Sequence, residues 1–435
     1  MQGFSSRDTL NIVIVTLAGV VSSILLKWYL LIGFLPGFLF VFYSCVKKGH
    51  PTKKITKSAS EGFLKTKEIM IILCLVGILL PSWDMAGTID QMVYLILSNI
   101  NPSFFYISAF SSTFIISMIL GTSVGSLSSI GIPLIGAAMS IGMSVEVTAG
   151  ALVSGAFVGD RTSPFSSANQ LLSHTIELER KLFQRSLWKT GSIGLVFSSI
   201  FFLYFDITKP SGATVFTNVD HFKWYLILPA VSLVICAIIK LKIRYCFLIS
   251  IVVALIITVI MNGFFLQIII NLWEGTNQTG GGLQKILPLI AFIGLAGAYN
   301  GMIEEFSIFQ PLLTKWLGPS SSLSTMTRKT MFATLIITML GCNQTIPIIL
   351  TGRSFLSEWD VRQNKREFAR VMADSSMLFA GMVPWSVLAI MCSTVLGVPL
   401  FDYLPYAIFI WCLPIITMLY SYIYSKMSKE KSMSH

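Results

Sequence analysis

The chain has 435 residues, of which 54% are hydrophobic and only 12% charged, and a soluble protein of this length needs roughly twice that charge to keep its surface wet. Its formal charge of +11 does not mark a nucleic-acid binder, because the Lys and Arg cluster between apolar runs, where such residues set membrane topology. A soluble fold and a nucleic-acid partner are thereby excluded, and the lipid bilayer becomes the solvent to reason with.

The runs 9–26, 29–46, 69–80 and 245–260 show no amphipathic period and read as bilayer-spanning helices. The first lacks a small-residue cleavage site and is followed at once by another span, so it reads as an anchor and not a signal peptide. Loop 47–68 carries Lys47, Lys48, Lys53, Lys54, Lys57, Lys65 and Lys67 against Glu61 and Glu68, which places it, and the N-terminus, in the cytoplasm. The segment from Asp84 to Ser103 has no Lys or Arg and is assigned outside, as is a loop holding Asp206, Lys209 and Asp220. Basic groups at Arg180 to Lys189, Lys240 to Arg244, Lys315, Arg328 and Lys329, Arg362 to Arg370 and Lys426 to Lys431 are assigned inside, with the C-terminus. Six cysteines lie in apolar runs without metal-ligand spacing and read as buried thiols; the seventh, Cys342, lies in a polar stretch.

These sides impose a parity constraint. Between Ser103 and Arg180 the chain must cross an odd number of times. The arms 104–120 and 130–143 flank the polar tip GTSVGSLSS, and a further apolar run leads into GAFVGDRTSPFSSAN at 155–169. The simplest solution is a re-entrant hairpin, 104–143, followed by one broken helix, 147–176, with breaks at Gly159 and Pro164. A second hairpin, 329–353, surrounds GCNQT, and a second broken helix, 371–398, breaks at Gly381 and Pro384 within GMVPWS. Because the two hairpins enter from opposite sides, the expected fold is all-α and polytopic, with about ten spans, two re-entrant hairpins and two inverted repeats. The divisions are an extra N-terminal helix (1–27), a first repeat (28–206), a linking loop and helix (207–242), a second repeat (243–425) and a cytoplasmic tail (426–435).

Irregular backbone at membrane depth is tolerated only where protein buries it or a cavity hydrates it. The two tips offer Thr122, Ser123, Ser126, Asn343, Gln344 and Thr345; the breaks offer Asp160, Ser163, Asn169, Asp374 and Ser375. Hydroxyls, amide oxygens and a carboxylate suit a small hard cation. A carboxylate among them holds either a proton or a sodium ion but not both, and that exclusion is enough for antiport if the cavity opens alternately to each side. Asp160 is the expected residue for this role, and Na+ its transported metal. The plainer alternatives are that Asp160 pairs with Arg161 at a cytoplasmic helix end, that Asp374 lies at the interface beside a basic loop, that Glu304 and Glu305 form a solvated helix end, and that Gly121, Gly125 and Gly136 are packing contacts. No P-loop, dinucleotide-binding glycine pattern, zinc spacing or catalytic triad occurs, so neither an enzyme nor a cofactor is expected.

The stretches GTSVGSLSSIGIPLIGAA, GALVSGAFVGDRTSPFSS, NQTIPIILTGRSF, DSSMLFAGMVPWS and LGVPLFDYLPYAIF resemble, in order and interval, the NhaC family of sodium/proton antiporters. The resemblance covers most of 104–180 and 285–424 and implies a cell-membrane antiporter with unwound helices around its ion site, carrying Na+ and H+. The chain departs from the family where an acid is usual at Ser167 and an Asp-Gln pair at Asn343-Gln344, and after Asp374 it has Ser376, Met377, Phe379 and Ala380 where Gly-Thr and hydroxyls are usual. Two other readings stay open: a cation-coupled exchanger of small organic anions such as malate and lactate, with Arg353 as counter-charge, and a membrane sensor or scaffold. The sequence leaves oligomeric state open, a homodimer included.

Overall fold

The computed structural model describes residues 3–208, 222–239, 241–263, 265–276, 282–316, 322–361 and 364–433. The expected loop around Lys209 and Asp220, with Lys240 and Arg362, lies outside them. Every regular element among the described residues is a helix. Among the described residues nine helices are long and apolar enough to span a bilayer, or ten when Lys365–Met382 and Val387–Leu396, bent by 54° to each other, count as one.

In chain order the helices are α1 Ser6–Leu25, α2 Leu30–Lys47, α3 Thr52–Lys65, α4 Lys67–Met85, α5 Thr88–Asn99 and α6 Phe105–Leu120. Next come α7 Ser123–Ser140, with a π-helical stretch at Leu127–Gly131, then α8 Val145–Thr162, α9 Ser167–Ile176 and α10 Arg180–Thr208. The linking part is α11 Leu228–Ile238, α12 Ile243–Asn262 and α13 Phe265–Glu274. The second half runs α14 Leu283–Glu305, α15 Gln310–Trp316, α16 Leu323–Gly341, α17 Thr345–Val361, α18 Lys365–Ser375, α19 Phe379–Met382, α20 Val387–Leu396 and α21 Ile408–Met433. One order of elements therefore occurs twice: a long helix, a short one, a helix–tip–helix hairpin, a broken helix and a long closing helix.

The two hairpins turn by the same device. Gly121 (φ +68°) caps α6 in the left-handed region, and Cys342 (φ +52°) does so for α16. Thr122 then caps α7 through the Gly125 N–H, and Asn343 caps the next turn by accepting from Ile346 N at 2.9 Å. Two polar tips of unrelated sequence thus share one geometry. Both are buried in protein, with Ser123, Ser126 and Cys342 almost fully covered, as membrane depth requires of irregular backbone.

Five expectations are corrected. Gly159 does not break its helix: α8 runs on to Thr162, and the irregular stretch is Ser163–Ser166. The glycine is there because a Cβ at 159 would come within 2.2 Å of the Ser117 carbonyl carbon, so its absence lets α6 and α8 touch. The second hairpin extends over Leu323–Val361, and its broken helix starts at Lys365 instead of 371, the basic residues being part of the helices. Segment 47–68 is mostly helix: α3 lays Ile55, Ser58 and Gly62 against α14, with Gly62 facing Gly297 and Gly301, and turns most of its lysines outward. Asp206 lies not in a loop but in the last turn of α10, buried, where it accepts from Tyr106 N (2.8 Å) and Ile107 N (3.0 Å) and so caps α6 from another helix.

Candidate ion site

Each tip rests on the break of its own half. Gly121 presses against Phe165 and Ser166, so closely that a Cβ would meet the Phe165 carbonyl carbon at 2.5 Å. At the other tip, Val387 N donates to Cys342 O at 2.8 Å and Trp385 Nε1 to Met339 O at 2.5 Å. At the second tip itself the halves are joined by a hydrogen bond from Gln344 Nε2 to Asp160 Oδ2, 3.0 Å. The same Gln344 nitrogen also donates to Met377 O at 3.2 Å.

Asp160 is 7% exposed. Besides Gln344, its carboxyl takes the Ser166 hydroxyl at 3.5 Å and a hydrogen bond from the Ser123 backbone. All three donors are neutral. Its sequence neighbour Arg161 points the other way and is fully buried: Nε meets Asp374 Oδ1 at 2.5 Å, and Nη2 donates to Leu187 O (3.1 Å) and Thr190 Oγ1 (3.0 Å). Asp374 also takes the hydroxyls of Thr190 (2.7 Å) and Thr417 (2.5 Å) on its second oxygen. Asp374 is therefore not an interfacial acid, and the Asp160–Arg161 pairing weighed from the sequence does not form.

The remaining expected residues divide by what they bond. Ser163 donates to Met118 O at 2.7 Å, tying the break to α6. Asn169 bridges Arg161 O (2.7 Å) and Gln184 Nε2 (2.9 Å), holding α9 beneath the break. Ser126 donates to Ser123 O at 2.8 Å and Ser375 to Val371 O at 2.7 Å, each within its own helix. Pro164 sits in the break, and the short helix α19 carries Gly381, against the Phe157 ring, just before Pro384. So the structure gathers Asp160, Gln344, Ser123 and Ser166 at one point and assigns Asp374 to a separate buried ion pair. Ser166 was missed as a site residue, although its spacing of six from Asp160 across a Pro could have pointed to it.

A cavity of about 340 Å3 enters between α3 and α14 and ends at the second tip. Lys65 and Glu304 line it, paired at 2.7 Å; its deeper lining includes Asn300, Gly341, Asn343 and Thr345, set among Ile293, Ile346 and Val387. Its neighbour at the α3–α14 surface is bordered by Glu61, Lys65, Glu304 and Glu305. Arg353 is exposed on α17, two turns beyond Thr345, and does not line this vestibule.

The model of the Na+/H+ antiporter family matches residues 206–423, half of the chain. The chain is 27% identical over 400 residues to the Na(+)/H(+) antiporter NhaC of Bacillus subtilis (strain 168), covering 86% of this chain and 88% of that protein. It is 25% identical over 390 residues to the Na(+)/H(+) antiporter NhaC of Alkalihalophilus pseudofirmus, covering 84% of each. It is also 25% identical over 386 residues to the Malate-2H(+)/Na(+)-lactate antiporter of Bacillus subtilis, covering 83% of this chain and 82% of that one.

Proposed function

The chain belongs to the Na+/H+ antiporter family and is a multi-pass membrane antiporter, and within that role we propose that Asp160 is the carboxylate that one sodium ion and one proton occupy in turn. The observation that carries this reading is where Arg161 goes. Arg161 and Asp374 neutralise each other, so Asp160 is left as a buried acid whose hydrogen-bond partners are all neutral. A charge at membrane depth is too costly to stay uncompensated. A proton or a small cation supplies the compensation, and the two compete for the same oxygens.

The site exchanges one positive charge for one. Ser123, Ser166 and Gln344 surround the carboxyl with groups that serve either occupant, and the carbonyl of Gln344, once its amide turns, is a hard ligand. Gln344 bonds Asp160 and lies in the chain between Asn343 and Thr345, which line the vestibule, so a change of its rotamer would open the carboxyl to the basic side. By the positive-inside rule that side is the cytoplasm, and both termini lie there. The two halves act as inverted repeats around the site, Gln344 of one meeting Asp160 of the other.

The test is sodium-dependent proton movement in everted vesicles. Addition of sodium collapses an imposed pH gradient in the wild type, at a rate unchanged when the membrane potential is clamped to zero, and Asp160→Asn abolishes it while the protein stays folded. Unchanged exchange in Asp160→Asn would sink the role given to this residue. The vestibule's apolar walls and volume favour a second reading, a small organic anion as co-substrate; collapse of the gradient by malate or lactate in place of sodium chloride would select it.

A further inference from the structure

We propose that Asn300 is a cation ligand on the cytoplasmic approach, a station where the transported ion is held before it reaches Asp160. The proposal rests on the cation exchange argued above. Asn300 lies on α14, and its Nδ2 donates to Gly341 O at 2.7 Å, a carbonyl at the C-terminal end of α16. That bond settles which end of the amide is nitrogen. The other end, Oδ1, is buried and has no hydrogen-bond partner among the described residues, in a side chain only 7% exposed.

A buried acceptor without a donor is a cost that a fold normally removes. If Asn300 served only to hold Gly341, nothing would account for a second polar atom kept buried and unmatched. Asn300 belongs to the wall of the vestibule, along with Asn343 and Thr345 of the second tip. Glu304 follows four residues later on the same face of α14 and lines the same vestibule, where Lys65 neutralises it. Along one helix face the path thus runs from an exposed, ion-paired carboxylate to an unpartnered amide oxygen. Gln344, next to Asn343 in the chain, then leads to Asp160.

The chemistry selects a cation over an anion. The donor half of the amide is already engaged, and the free half is a hard oxygen of the kind that ligates small cations. The pair Lys65–Glu304 is exposed and held by a single contact, so an arriving cation meets a weak competitor there.

Two variants separate a ligand from a strut. Asn300→Ala removes both the oxygen and the bond to Gly341; Asn300→Asp keeps an oxygen and loses that bond. The measurements are the half-saturating sodium concentration for exchange from the cytoplasmic face, read in everted vesicles, and the sodium concentration that raises the melting temperature of the purified protein, with choline as control. The expected result is a several-fold rise in both concentrations for Asn300→Ala, with turnover at saturating sodium retained, and a return to wild-type values or below for Asn300→Asp. If Asn300→Ala does not fold, Asn300→Ser takes its place. An Asp variant as impaired as the Ala or Ser variant would assign the residue to holding Gly341 and overturn the proposal, as would unchanged sodium concentrations in all of them. Failure here leaves the Asp160→Asn result untouched, and the converse also holds, since the melting shift needs no transport.

Discussion

The Arg161–Asp374 pair offers the sharpest quantitative test, because the same substitution means opposite things if Asp374 is a carrier or a strut. In Asp374→Asn the volume is conserved, so no cavity term arises. What changes is that three donors, Arg161 Nε, the Thr190 hydroxyl and the Thr417 hydroxyl, now face a neutral amide, one end of which is itself a donor. Arg161, with no exposed surface, is left as an uncompensated charge. Breaking a buried pair by removing one partner costs about 3–5 kcal/mol. Replacing both partners by apolar residues of similar volume is often neutral, because the desolvation penalty of two ions disappears with their attraction. The expected order of stability is therefore wild type close to Arg161→Met/Asp374→Leu, with Asp374→Asn well below both. Membrane proteins rarely unfold reversibly, so the suitable assay is the fraction surviving graded heating in detergent, read by size-exclusion fluorescence. An Asp374→Asn variant as heat-stable as the wild type, or a double variant no better than the single one, would refute the assignment of Asp374 to structure.

Gly159→Ala adds a Cβ within 2.2 Å of the Ser117 carbonyl carbon, which is backbone and cannot rotate away; overpacking of this kind costs about 1–3 kcal/mol, whereas Gly136→Ala meets only the end of the Val93 side chain, at 2.9 Å, and is expected to survive heating better. His50, in the turn between α2 and α3, has its ring 4.5 Å from the Phe306 ring and its Nδ1 buried without a hydrogen-bond partner among the described residues, and burial, then the charge of Lys54, hold its pKa below the ordinary imidazole value. The unfolded chain thus takes up this proton before the folded one does, so stability present above the ordinary imidazole pKa is lost as the pH falls through the folded value. Melting temperatures across this acid range are expected to fall less steeply in His50→Phe than in the wild type, and equal slopes would refute the assignment.

What the sequence made legible was whatever hydropathy and charge encode directly. Apolar runs gave the spans, and parity over the expected sides then required hairpins and broken helices close to where the structure has them. Asp160 stood out as a candidate for the same reason, since an acid inside an apolar run has few structural uses. What stayed hidden depends on direction around a helix and on partners far along the chain. Nothing in VGDRTSP says that Asp160 and Arg161 face opposite ways, yet successive helical residues differ by about 100°. Asp374 lies 213 positions from Arg161, beyond the reach of local pattern. Gly159 looked like a breaker because glycine is a poor helix former, while its use is the close approach of α6, a tertiary fact. Asn300 was passed over in an apolar helix because only the cavity gives its free oxygen a meaning.

The two places where the chain departs from the acids usual in the resembling family take on a definite meaning in this geometry, because both lie at helix N-termini. Ser167 is the first residue of α9 and is exposed, a position where an acid gains from the helix dipole; the Asp160 site meanwhile draws on the neighbouring Ser166. Asn343 caps the first turn after the second tip through Ile346 N, and Asn and Asp are near equals as caps, so the turn survives the exchange. Its consequence falls on the vestibule, which is lined by an amide where an aspartate would set a charge one residue from the Gln344 that bonds Asp160. Two carboxylates that close would raise each other's hold on protons. With Asn343 and Gln344 both neutral, no second acid from this tip stands beside the carboxyl proposed for the exchange, and a ligand such as the proposed Asn300 oxygen would bind a cation without binding a proton.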